Sequence, residues 1–205
     1  ILVLSHDEVV HLKCSMINKM PGIGVDKFRN LMVGYAFMFG HPGKKLLFMG
    51  QDFAQYHEWD EKKELDWYLL ENRENKAIQD FVKELLHIYK KYPAMYELDS
   101  TWDGFEWINA NDSYRSIFSF VRKSRDRKNS LLFVCNFTPV AYDDYRVGVP
   151  TTNKLKLILN SESSKFLGTE KKRQVTYTPE HQECDGKEYS IGYKLPAYGV
   201  AVFVF

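Results

Sequence analysis

Cysteine is scarce in this 205-residue sequence, and its three copies, Cys14, Cys135 and Cys184, are odd in number and far apart. That pattern builds neither a disulfide framework nor a CxxC zinc site. It fits a reducing compartment, so the expected location is cytoplasmic. No apolar run approaches the ~18 residues that span a bilayer, and no signal-peptide pattern opens the chain, so no membrane partner is expected. Charge of one sign is missing too: 28 basic residues face 27 acidic ones, a net +1. Without a basic stripe, nucleic acid is an unfavourable partner. The short run Lys171-Lys172-Arg173 reads as a solvated loop. Repeats and low-complexity tracts are absent.

What is present is ordinary globular material, 44% hydrophobic and 27% charged. The length holds one or two domains with real cores. Aromatic residues, at 15%, are abundant. They serve either as sugar-stacking surfaces or as filling for a β core, and the core is the default role.

The most informative stretch is Ser5-His6-Asp7-Glu8-Val9-Val10-His11, directly after the apolar run Ile1-Leu2-Val3-Leu4. An apolar run that turns abruptly polar reads as a buried strand ending at a reacting surface. In a β/α barrel that end carries the catalytic side chains. A helical zinc motif is a poorer reading. It needs two His four apart with Glu after the first, whereas His6 and His11 are five apart, about 500° around a helix. A merely structural polar turn stays open on these residues alone.

Further along, Pro21 and Gly22 mark a loop. Asp26 is a candidate helix cap. Phe28, Leu31, Met32, Tyr35, Met38 and Phe39 then form a helical stripe that Gly40-His41-Pro42-Gly43 stops. The run 45–49 reads as a short strand, which makes strand–helix–strand a parallel βαβ unit buried on both faces. Residues 50–74 form a long irregular connection, usually a functional feature. Trp59 and Trp67 in it either stack on sugar rings or anchor the loop. Asp52 and Glu58 are carboxylates near a strand end, though poor candidates for a second catalytic role.

A second helix carries Ile78, Phe81, Val82, Leu85, Leu86 and Tyr89 on one face, with His87 on the solvated side, and Pro93 ends it. From about residue 99 the period changes to that of strands. They are expected at 105–108, 116–122, 131–136, 145–149, 155–160, 175–178, 188–195 and 200–205, the pattern of an antiparallel sandwich. Residues 200–205 are apolar on both faces, as in a central strand. The polar loop 161–173 is the most mobile candidate. His181 and Cys184, three apart with no second pair nearby, are a weak metal signal, and no metal or cofactor is expected.

Several motifs together resemble the glycogen branching enzymes, 1,4-α-glucan branching enzymes of the α-amylase superfamily. They are Ser5-His6-Asp7-Glu8-Val9-Val10-His11, residues 17–22, Pro42-Gly43-Lys44-Lys45-Leu46-Leu47-Phe48-Met49-Gly50, Glu58-Trp59, Leu65-Asp66-Trp67, Gly104-Phe105-Glu106-Trp107 and Asn136-Phe137-Thr138-Pro139-Val140. The resemblance runs through the whole chain in order, and it implies the last part of such an enzyme. Residues 1–98 would be the final βαβα part of a (β/α)8 catalytic barrel, and residues 99–205 an all-β antiparallel sandwich domain.

It also implies retaining transfer of an α-1,4-glucan chain to a 6-hydroxyl, forming an α-1,6 branch. In that scheme Asp7 binds the donor ring's hydroxyls and His6 assists. The nucleophile and the acid/base lie outside this chain, so the chain alone is expected to be inactive. The implied partner is an α-glucan such as amylose or glycogen. Leu12 and Cys14 stand where the family usually has a glycine- and lysine-rich bend, while Lys13 is kept. A related hydrolase or debranching enzyme, and a non-catalytic carbohydrate-binding or structural module, are the alternatives. Two strands cut from a barrel have open edges. Residues 1–98 are therefore expected either to self-associate through those edges or to lie against the sandwich in a non-barrel arrangement.

Overall fold

A computed structural model describes residues 4–170 and 175–205. The strand expected over residues 1–4 lies mostly outside the described residues. Its last residue, Leu4, bridges Leu47 in parallel, and Phe48 N–H donates to the Leu4 carbonyl at 3.1 Å. The parallel direction is thus as expected. Burial on both faces is not, because Leu46 and Met49 are exposed. A parallel pair is covered only when neighbouring strands and helices flank it, and one bridge recruits little cover.

A short helix α1 (Met16–Lys19) precedes the long α2 (Val25–Gly40). Asp26 does not cap α2: the cap position is Gly24, with φ 53°, and Asp26 lies in the first turn. There its charge still favours the positive end of the helix. The stripe from Phe28 to Phe39 is buried as the spacing predicts, and so are Asn30, Val33 and Ala36. That extra burial follows from position, for α2 touches another helix on one side and a β-sheet on the other. At its end the approach to the sheet is close. A Cβ on Gly40 would stand 2.6 and 2.8 Å from the Phe120 ring, so only glycine fits.

Helix α3 (Arg73–Lys91) buries Ile78, Phe81, Val82, Leu85 and Ile88. Leu86, expected on that face, points to solvent instead. It falls between the buried positions, and Ile88 continues the stripe three residues after Leu85.

The strands among the described residues are β1 (Phe105–Asp112), β2 (Ile117–Arg122), β3 (Leu131–Asn136), β4 (Tyr142–Val149), β5 (Leu155–Asn160), β6 (Thr176–Tyr177), β7 (Tyr189–Leu195) and β8 (Val200–Val204). A six-stranded sheet has the order β1-β2-β3-β8-β5-β6, and β4 pairs with β7 in a second sheet. All these pairings are antiparallel. One face of the large sheet meets β4 and β7 through Val121, Leu132, Val134 and Phe203 against Val147, Ile191 and Tyr193. Its other face, with Phe120, Phe133, Cys135, Val200 and Val202, joins the core of α2 and α3. Central β8 is apolar on both sides for that reason.

The loop expected to be mobile is packed where it is described. A 3-10 turn over Ser164–Phe166 buries Phe166, whose ring meets Phe81 edge-on at 5.3 Å. Lys171, Lys172 and Arg173 lie outside the described residues. Among the described residues, no helix is long and apolar enough to cross a membrane.

His41 ends α2 inside the core. Its Nδ1 donates to the Phe37 carbonyl at 2.7 Å, and its ring lies 4.2 Å from that of Phe37 and 4.6 Å from that of Phe120. Burial pushes its pKa down from 6.5 to about 4. Between those pH values the unfolded chain binds the proton that the folded one refuses. Stability should therefore fall as pH drops from about 6.5 towards 4, by up to about 3 kcal/mol from this group. Urea midpoints across that window should fall more steeply for the parent than for His41→Phe. Equal slopes would remove His41 as the cause.

Candidate functional site

Immediately after Leu4 the chain leaves the parallel contact in a 3-10 turn, His6–Glu8. Ser5 caps it: the serine Oγ accepts from Asp7 N–H and donates to Asp7 Oδ2, both at 3.3 Å. His6 Nε2 lies 3.3 Å from Asp7 Oδ1, and the two side chains are 57% and 68% exposed. One imidazole and one carboxylate thus stand side by side with open access. The Asp7 carboxylate is therefore free to accept hydrogen bonds from a ligand, because among the described residues only Ser5 Oγ and the neighbouring imidazole engage its carboxylate oxygens. His11 lies beyond the turn with φ 58°. It shares no helix face with His6, which rules out the helical zinc arrangement for this pair.

The corner has a rigid floor. Gln51 Nε2 donates to the Ser5 carbonyl at 3.4 Å, and the buried Tyr35 hydroxyl of α2 donates to the Gln51 carbonyl at 2.7 Å. Burial raises the Tyr35 pKa, which keeps the phenol protonated as a donor. Beyond the turn, Val9 and Val10 are buried and pin the chain.

Trp59 belongs to this corner. Its N–H donates to the Val9 carbonyl at 3.0 Å. Its ring meets Phe48 edge-on at 5.1 Å, and Phe48 in turn meets the His6 ring at 5.9 Å. Trp67 stacks on Phe53 at 5.2 Å, with its outer side exposed. Both tryptophans therefore anchor the 50–74 segment, and each retains exposed surface. That segment is braced by His57 Nδ1 at 2.6 Å from Asp66 Oδ2 and by Asp66 N–H donating to Gln55 Oε1 at 2.9 Å. Such bracing lets a long connection keep one shape. Asp52 is half-buried, and desolvation raises its pKa.

Glu58 has a definite task. Its Oε2 accepts from Leu12 N–H at 3.0 Å and its Oε1 from Cys14 N–H at 2.6 Å. His11, Leu12 and Cys14 have φ of 58°, 63° and 66°. Left-handed backbone costs a non-glycine residue about 1–2 kcal/mol. The bend where a glycine was expected is thus left-handed without the glycine, held by a carboxylate on two backbone N–H groups. Sequence reading missed this because Glu58 is 44 and 46 residues from its partners.

The remaining weak signals fall elsewhere. His181 Nε2 lies 2.9 Å from Glu188 Oε1, and Cys184 Sγ faces the Arg146 carbonyl at 3.5 Å. Arg122, a strand end in the sequence pattern, is wholly buried. It donates to the carbonyls of Gly104 and Gly40 and to Asp99 Oδ1.

Residues 107–205 match the family described as alpha amylase, C-terminal all-beta domain. The 1,4-alpha-glucan branching enzyme GlgB of Butyrivibrio fibrisolvens is 55% identical over 205 residues, covering 100% of this chain and 32% of that protein. The enzyme of the same name from Gloeobacter violaceus is 46% identical over 203 residues, covering 99% and 28%. The chain thus spans about a third of the length of the curated relatives it matches. Among solved structures, the alpha-amylase from H. orenii aligns over 98% of this chain and 38% of its own, with TM-score 0.58 at 17% identity. Ttha1563 from Thermus thermophilus aligns over 98% and 35%, with TM-score 0.64 at 20% identity. At those identities the likeness is one of fold alone. Residues 107–205 therefore belong to the α-amylase C-terminal all-β domain family, and the chain is similar along its whole length to about a third of the length of the 1,4-alpha-glucan branching enzymes named GlgB.

Proposed function

We propose that this chain is the C-terminal part of a retaining branching enzyme that cuts an α-1,4-glucan and rejoins the freed chain to a sugar 6-hydroxyl. Residues 1–98 are the end of the catalytic barrel, and residues 99–205 the β domain that follows. The protein acts on amylose or glycogen in the cytoplasm and uses no cofactor.

In such chemistry one carboxylate attacks the anomeric carbon while an acid protonates the leaving oxygen. The 6-hydroxyl then takes the sugar from the covalent intermediate, giving up its proton to the same acid/base group. In this reading neither of those two roles falls to a residue of this chain. Asp7 has a third role: it grips the donor ring's 2- and 3-hydroxyls, and His6 assists. Those hydrogen bonds strengthen as the ring flattens towards an oxocarbenium ion, so they lower the barrier rather than merely holding the substrate. Trp59 and Trp67 offer ring faces to glucose units.

The observation that carries this reading is the exposed His6–Asp7 pair, seated where the chain leaves the Leu4–Leu47 contact. The purified chain should leave the iodine spectrum of amylose unchanged, whereas the full-length enzyme should change it by adding α-1,6 linkages. Branching by the chain alone, or purely hydrolytic products from the full-length enzyme, would overturn the proposal. Strands separated from the rest of a barrel would have open edges, so the isolated chain should self-associate, and a monomer by light scattering would rule that out.

A further inference from the structure

We infer that Glu58 is a positioning residue for the His6–Asp7 corner, acting at a distance through the 11–14 bend. The inference rests on the reading of this corner as a branching-enzyme subsite. Its physical basis is a chain of contacts from the Glu58 carboxylate to Asp7.

The carboxylate holds Leu12 N–H and Cys14 N–H, the two amides that flank Lys13. Lys13 Nζ reaches back and donates to the Asp7 carbonyl at 2.9 Å. On the other side, Trp59 N–H holds the Val9 carbonyl, and Lys19 Nζ donates to the carbonyl of Glu8. Residues 58 and 59 thus grip the segment that follows the turn at three backbone points. The bend needs that grip. Leu12 is 95% exposed, so no packing of its side chain offsets its left-handed backbone. Hydrogen bonds to an ionised carboxylate are stronger than neutral ones, and this pair is what stabilises the unfavourable conformation.

Without Glu58 the two amides are free to bond to water, and Leu12 and Cys14 relax to negative φ. Lys13 then swings away from the Asp7 carbonyl, and the 3-10 turn loses its brace. The fold need not suffer, because the bend is at the surface. What suffers is the placement of Asp7, and small misplacements of a catalytic group cost on the order of 10²-fold in rate.

Two measurements test this together. In the purified chain, Glu58→Ala should speed hydrogen exchange at the Leu12 and Cys14 amides, with Glu58→Gln intermediate because it keeps one acceptor oxygen. In the full-length enzyme, Glu58→Ala should lower kcat on the order of 10²-fold with little change in KM. Glycine tolerates left-handed backbone freely. The triple variant E58A/L12G/C14G should therefore regain most of the lost kcat.

A general structural role for Glu58 would not be rescued in that way, so failure of rescue overturns the inference. Unchanged amide exchange in Glu58→Ala overturns it too, as does unchanged kcat. If the unsubstituted full-length enzyme forms no α-1,6 branches, the functional reading fails instead. The amide-exchange result would then still report whether Glu58 holds the bend.

Discussion

Replacing Asp7 with Ala in the full-length enzyme is expected to lower kcat by ~10²–10³-fold, the loss of roughly 3–4 kcal/mol of transition-state stabilisation. The fold should not notice. The Asp7 side chain is 68% exposed, and among the described residues its carboxylate engages Ser5 Oγ and the His6 ring. Exposed substitutions of this kind usually change stability by no more than about 0.5 kcal/mol. The urea midpoint of the isolated chain should therefore be unmoved while activity collapses. Asp7→Asn keeps one acceptor oxygen but no charge, and should fall between. Full activity in Asp7→Ala would refute the assignment of Asp7 as a sugar-binding carboxylate. Equal losses of stability and activity would make it a structural residue.

A second replacement, Asp99→Ala, should do the reverse and damage the fold. Arg122 is 0% exposed. Its three donor contacts reach Gly40 at the end of α2, Gly104 just before β1, and Asp99 Oδ1 at 2.6 Å. Removing Asp99 leaves a guanidinium buried with carbonyls but no counter-charge. Breaking a buried pair from one side costs about 3–5 kcal/mol. For a chain of this size that lowers Tm by roughly 6–20 °C, readable by calorimetry. Replacing both members with apolar residues should recover much of the loss, since the pair's own desolvation cost disappears with it. A Tm shift below about 2 °C for Asp99→Ala would show that Arg122 finds another partner.

These two residues illustrate how legibility in the sequence varied. Asp7 stands out in the sequence as a candidate because its neighbours form a contiguous motif. Arg122 does not, because it ends a strand that looks like any other, and its partners are 18, 23 and 82 residues away. Trp59 lay between those cases. The sequence placed it in a long irregular connection, but only the structure seats its ring on Phe48, which meets His6. Leu86 and Asp26 show the finer limit, where a period locates a helix yet misplaces one face residue and one cap.

The sequence by itself determined the elements, because the alternation of β3 and β8 and the stripe of α3 are local patterns of burial. It determined the His6–Asp7 pair for the same reason. The tertiary structure alone decided that α2 is sandwiched between α3 and the large sheet, that Gly40 must lack a side chain against Phe120, and that Glu58 holds the bend beside Asp7. Those facts depend on residues brought together across many turns of chain, and no local pattern encodes which distant partner a carboxylate or a glycine will meet.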